Sequence, residues 1–171
     1  MSSSGTWRMP DRPVVLNNTP LVALWAIGRL DLLRDLFREV LIPQAVEDEF
    51  FAVETASRQQ ALNNAPWVRT VPLGQPRRAL AYAGLDQGEA EVLTLAEERE
   101  ARLVVIDERR GRRFAERIGI PLTGTLGILL LAKEAGLIQS VSVWVSKLQE
   151  TGLFLSPSLI RRTLEIAGER P

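Results

Sequence analysis

Asp107 closes the apolar run Leu103-Val-Val-Ile and passes straight into a basic segment carrying Arg109, Arg110, Arg112 and Arg113. Such a run is a buried parallel strand. A carboxylate at its C-terminal end stands where the loops of an open α/β sheet form a crevice lined by helix N-termini. Two absences bound the chemistry available there, because the chain holds no histidine and no cysteine. Without histidine there is no Ser-His-Asp triad and no imidazole acid-base pair. Without cysteine there is no thiol nucleophile, disulfide frame or zinc knuckle. What remains is carboxylate, amide, hydroxyl and cation chemistry. Clustered carboxylates act at neutral pH mainly by holding hard divalent metals such as Mg²⁺ or Mn²⁺.

The elements that would bring such groups together alternate along the chain. Pro13 to Asn17 reads as a short strand ending on amides, and Asn18-Thr19-Pro20 as an N-cap with proline at the first helical position. The helix that follows runs to Ile27 and is closed by Gly28. Leu30 to Phe37 forms a second helix, Glu39 to Ile42 a second strand, and Pro43 starts a helix carrying Glu49. This β-α-β-α rhythm belongs to a parallel sheet covered on both faces. Thr55 to Asn64 suits a helix, Trp67 to Val71 a strand, and Pro72 to Tyr82 a loop with a weak helical turn. Asp86-Gln-Gly-Glu89 is a capping box opening a helix to about Ala101. After the Asp107 strand come a basic helix to Ile118, a strand Ile120 to Thr123 and a helix Thr125 to Ala135 ended by Gly136. Two further helices are expected at Val143 to Gln149 and, capped by Ser156-Pro157, at Ser158 to Ile166. Asn17, Glu49, Glu89 and Asp107 thus fall at equivalent structural places, near strand ends and helix starts.

At 171 residues the chain fits one domain, of a size that buries roughly 70% of its unfolded surface. Its 46% hydrophobic and 25% charged residues are ordinary globular values that exclude a disordered or fibrous class. The polar start of the chain reads as a flexible leader over residues 1–12, followed by a single domain over 13–171 that includes the C-terminal helices. The longest apolar run, around Ile128 to Leu131, is far short of a membrane span, so a soluble, cytoplasmic protein with no membrane role is expected. Lys+Arg and Asp+Glu balance at 21 each. Any contact with nucleic acid is therefore local, made by one patch around one site.

Four segments, Val15 to Val22, Ile42 to Glu49, Leu85 to Glu91 and Val104 to Gly111, resemble in this order the PIN domain, and more narrowly a prokaryotic subfamily related to the VapC-type toxins. The resemblance runs from Val14 to Gly168 and includes Leu122 to Gly127. It implies a three-layer α/β/α fold with a central parallel sheet of about five strands and an acidic cluster at the strand ends that binds Mg²⁺ or Mn²⁺. It also implies metal-dependent cleavage of single-stranded RNA, often by the toxin of a type II toxin-antitoxin pair. Carried over by position, Glu49, Glu89 and Asp107 are the catalytic candidates, and with Asn17 the metal-binding ones. Asn17 stands where the family usually has Asp, which removes one negative charge and leaves an amide oxygen. The partners implied are single-stranded RNA, a small antitoxin and a second copy of the chain, the last through the helices at Leu21 to Ile27 and Leu30 to Phe37.

The same residues have structural roles open to them. Asp107 can cap the next helix, Glu89 completes a capping box, and Glu49 shares a solvated acidic face with Glu47 and Asp48. Glu91, two residues beyond Glu89, is its substitute. Thr19 and Thr125 bring hydroxyls near the same sheet edge, and Arg109, Arg110, Arg112 and Arg113 are positioned to meet RNA phosphates. The competing function is a PIN-like module, weakened by Asn17, that binds a protein or nucleic acid without cutting.

Overall fold

The computed structural model describes residues 11–170, so only Asp11 and Arg12 of the expected leader fall within it. Five strands, β1 (Val14–Leu16), β2 (Val40–Ile42), β3 (Val68–Thr70), β4 (Leu103–Val105) and β5 (Leu122–Thr123), form one sheet in the order β3-β2-β1-β4-β5. Every pair is parallel. β1, β2 and β4 are buried at every position, the pattern of strands covered on both faces. That is why they read as continuous Val/Leu/Ile runs.

The connections are α1 (Asn18–Ala26), α2 (Asp31–Phe37), α3 (Gln44–Phe51), α4 (Thr55–Asn63), α5 (Gln87–Glu98), α6 (Arg109–Arg117) and α7 (Thr125–Glu134); α8 (Val141–Glu150) and α9 (Pro157–Ile166) complete the chain. A 3-10 turn at Pro76–Ala81 occupies the expected loop. The helices and sheet form the three-layer α/β/α arrangement of a PIN-like fold, with α4 and α5 both packed on α3, α6 on α5, and α7 meeting α1, α2, α8 and α9. Gly28 and Gly136 take positive φ of 70° and 77° and end α1 and α7 in left-handed turns that residues with a Cβ adopt reluctantly.

Several boundaries differ from the sequence reading. β4 ends at Val105, so Asp107 lies two residues beyond the strand. Asn17 is the N-cap of α1, one residue before the expected Asn18-Thr19 cap, which moves Pro20 from the first helical position to the third; its missing N–H is still one of those a helix start leaves unbonded. α8 begins at Val141, two residues early, because Glu169 accepts hydrogen bonds from the N–H groups of Val141 (2.7 Å) and Ser142 (3.0 Å). The two helices expected to pair copies of the chain divide their apolar side chains, with Val22, Trp25, Ile27 and Leu36 partly exposed. Leu21, Leu24, Leu32 and Leu33 are fully buried, each contributing about 1.5–3 kcal/mol to the chain's own core. Among the described residues no helix is long and apolar enough to cross a membrane.

Candidate functional site

From β1 the chain moves to β2 and β3 on one side, and it later enters β4 and β5 on the other. The connections therefore part between β1 and β4, and a crevice opens beyond the carboxyl ends of those two strands. Leu16 is in register with Val105, and the Asn17 N–H continues the ladder to the Val105 carbonyl at 2.9 Å. Asn17, only 3% exposed, is thereby fixed at the crevice floor. Its Nδ2 donates to Glu108 Oε2 at 3.0 Å, and Thr19 Oγ1 donates to the other Glu108 oxygen.

The amide's oxygen faces the opposite way. A Cβ built on Gly88 would lie 3.5 Å from Asp86 Oδ1, 3.6 Å from Glu49 Oε2 and 3.8 Å from Asn17 Oδ1. Three oxygens from α3, the α5 cap and the end of β1 thus converge on a spot kept open because residue 88 has no side chain. Glu89, buried beside them, belongs to the capping box: its N–H donates to Asp86 Oδ1 at 2.8 Å, and its carboxylate accepts from the Asp86 N–H at 3.4 Å.

Electrostatics bind these groups into one unit. The Glu49 carboxyl is held above its ordinary pKa, first by burial, then by the charges of Asp86 and Glu108. Burial likewise raises Glu89, with Asp86, Glu108 and Glu49 adding to it and the Asp86 backbone hydrogen bond opposing. Both shifts express first the withdrawal of a carboxylate from water and then the like charges gathered beside it.

Asp107 is engaged differently. Its two oxygens accept from the Thr125 N–H at 2.8 Å and the Thr125 hydroxyl at 2.6 Å, so it caps α7 across the sheet. Burial raises its pKa against these two hydrogen bonds; Glu108 raises it further and Arg112 lowers it. Arg112 Nη1 donates to the Ile106 carbonyl at 3.0 Å. A Cβ on Gly124 would overlap Asp107 Oδ1 and crowd Arg112, so glycine there permits this approach.

The remaining sequence candidates are dispersed. Glu91 accepts from the Ala45 N–H at 3.2 Å and from Gln87 at 3.0 Å, tying α5 to the first turn of α3. Arg110 donates to the Gly84 carbonyl at 3.1 Å and lines a cleft with Arg113, Phe114 and Arg117. Arg109 is exposed. Of the four arginines, Arg112 is the one seen to act on the acid group. Asp86 and Glu108 were missed by the sequence reading, although Asp86 stood there as a helix cap and Glu108 as the residue after Asp107.

Among the described residues no three acidic side chains surround one point at metal-binding distance. The donor set nevertheless fits a hard divalent cation: two carboxylates and an amide oxygen face one open spot, and the carboxyls around it carry repulsion that a cation would relieve. Asn18 adds a buried Oδ1 that has no hydrogen-bond partner.

An α/β sheet with a carboxylate-lined crevice at its switch point defines a class of proteins that handle ligands at strand ends. The sequence pattern of the PIN domain matches residues 13–169, and the chain belongs to that family, whose fold is a nuclease fold and whose members generally use divalent metals. A search of curated proteins returns no match.

Proposed function

We propose that the protein is a Mg²⁺- or Mn²⁺-dependent endoribonuclease that cleaves single-stranded RNA, acting as the toxin of a type II toxin-antitoxin pair. The convergence of Asn17, Glu49 and Asp86 on the open spot at Gly88 carries this reading, with Glu89 and Glu108 coupled to it by charge and Asp107 beside Glu108 past the end of β4. Asn17 Oδ1, Glu49 and Asp86 would hold the cation, with Glu89 and Asp107 completing the acidic surroundings. When bound, the ion supplies positive charge that offsets the phosphate's repulsion from the carboxylates and polarises water for attack. The protein's own groups do the positioning. Glu108, fixed by Asn17 and Thr19, sets the amide's orientation. Asp107, locked by Thr125, keeps the start of α7 in place at the crevice wall. An antitoxin would cover this crevice. A second copy would have to use the outer faces of α1 and α2, where Val22, Trp25 and Ala26 remain accessible.

The reading as a non-cutting binding module rests on the Asn17 amide, which stands where the family usually has a carboxylate and donates a hydrogen bond to Glu108. Labelled single-stranded RNA incubated with Mn²⁺, Mg²⁺ or EDTA separates the two. The nuclease reading expects metal-dependent cleavage that Glu49→Gln and Asp107→Ala abolish. RNA left intact by the unmodified protein under every metal condition would establish the binding module instead.

A further inference from the structure

At the end of the sheet opposite the acid crevice, the starts of β1, β2, β3 and β4 border a cleft of about 480 Å³. Five arginines line it: Arg12 before β1, Arg38 before β2, Arg69 in β3, Arg99 after α5 and Arg102 before β4. Among the described residues only two carboxylates, Asp11 and Glu39, share the lining. Glu39 accepts from Arg69 at 2.9 Å. Arg12, Arg38 and Arg99 have no ion-pair partner among the described residues. A chain of zero formal net charge therefore gathers an excess of positive charge in one concave place, where like charges repel unless an anion joins them.

The backbone at Arg38 adds an independent observation. This residue ends α2 with φ 68° and ψ −45°, a region that favours glycine and that other residues occupy at a cost. Glycine would relieve that cost at the helix end, so the arginine side chain can be removed here without a backbone penalty. The base of the cleft is built before any ligand arrives. Arg102 is 8% exposed, with its guanidinium 5.7 Å above the Phe37 ring. Leu36 and Leu41 supply apolar wall beside the cations. Guanidinium groups match phosphate oxygens with paired, charge-assisted hydrogen bonds, and the volume lies in the range of small-molecule sites. An apolar wall beside the charges suits an organic phosphate better than a bare ion.

We propose that this cleft binds a phosphate group carried on a nucleoside, with the phosphates on Arg12, Arg38 and Arg99 and the organic part against Leu36 and Leu41. The source is either a free nucleotide or the 5′ end of an RNA. The site is separate from the acid crevice and stands or falls independently of the nuclease reading.

Calorimetric titration of the full chain in EDTA tests it, using ATP, pyrophosphate, adenosine, and matched RNA oligonucleotides with a 5′-phosphate or a 5′-hydroxyl. ATP or the 5′-phosphorylated oligonucleotide should bind more than about tenfold tighter than its unphosphorylated counterpart, an affinity that weakens with salt. Preference for ATP assigns the site to a free nucleotide, and preference for the 5′-phosphorylated RNA assigns it to an RNA end. Arg38→Gly should keep or raise the melting temperature while weakening phosphate binding about tenfold; Arg99→Gln should weaken it similarly, and Glu49→Gln should leave it unchanged. Equal binding with and without the phosphate, no binding of any of these compounds, or affinity unaltered in both arginine variants would overturn the proposal.

Discussion

Asn17 donates its amide hydrogen to Glu108 across the parting of β1 and β4, at 3.0 Å, and in doing so turns its carbonyl oxygen toward Glu49 and Asp86. One side chain thus satisfies a carboxylate on one side and offers a neutral oxygen on the other. Asn17→Asp would set a carboxylate oxygen against Glu108 Oε2 and replace an attraction by a repulsion. The metal-free variant should lose about 1–3 kcal/mol of stability at pH 7 and regain more than the unmodified protein does on adding Mn²⁺. Thermal melting with and without Mn²⁺ measures both; identical melting and identical metal response in the two proteins would show that the Asn17–Glu108 pair has no such role.

The raised pKa values of Glu49, Glu89 and Asp107 fix the sign of a pH effect. In each case the folded state holds its proton more tightly than the unfolded state. Their contribution to stability is therefore present at acidic pH and is lost as pH rises from the ordinary carboxylate range through the raised values. Denaturant unfolding in EDTA at pH 5, 6 and 7 should show Glu49→Gln, which cannot ionise, becoming more stable relative to the unmodified protein as pH rises. Parallel pH curves for the two would sink the assignment. Mg²⁺ at pH 7 should narrow the difference by stabilising only the ionised Glu49.

Thr125 holds Asp107 with both its N–H and its hydroxyl. Thr125→Ala removes the hydroxyl donor and leaves the backbone one, at an expected cost of about 1–2 kcal/mol, and it lifts the Asp107 pKa further because one of its lowering influences is gone. Thr125→Ser keeps the donor. Denaturation midpoints that fall for alanine and recover for serine support a hydrogen-bonding role; equal midpoints would point to loss of the methyl group instead.

The middle of the sheet could be read from the chain because β1, β2 and β4 are buried on both faces and so appear as unbroken apolar runs, as in Leu103 to Ile106 and Val14 to Leu16. The site was only partly legible. Asp107 was visible as the carboxylate ending such a run, but β4 stops at Val105, and two further residues of non-helical chain turn Glu108 back toward Asn17 and Thr19. That partnership spans 91 positions and leaves no local periodicity. Asp86 was recognised as a helix cap, and that role hid the other direction in which it faces, toward the spot above Gly88. The arginines of α6 gave a clear charge signal. A run of charges on a helix nevertheless points several ways, and only the fold shows Arg112 turning inward while Arg110 and Arg113 line a separate cleft with Phe114.

Glu169 shows the same limit at the other end of the chain. Nothing in its sequence neighbourhood marks it, yet it accepts from Lys133 Nζ at 2.9 Å, from the N–H groups of Val141 and Ser142, and from the Ser140 hydroxyl. It thereby caps α8 and ties it to α7. Burial acts to raise its pKa, but Lys133 and the N-terminal donors of α8 outweigh that and lower it to about 2. A depressed carboxylate contributes stability that is present above its unfolded pKa and lost as pH falls from there toward the folded value, here from about 4.5 toward about 2. Glu169→Gln should therefore cost about 1–3 kcal/mol at pH 7, and the difference from the unmodified protein should shrink below pH 4. Urea unfolding of both proteins at pH 7 and pH 3 checks this, and a difference as large at pH 3 as at pH 7 would mean that Glu169 acts through packing and not through its charge.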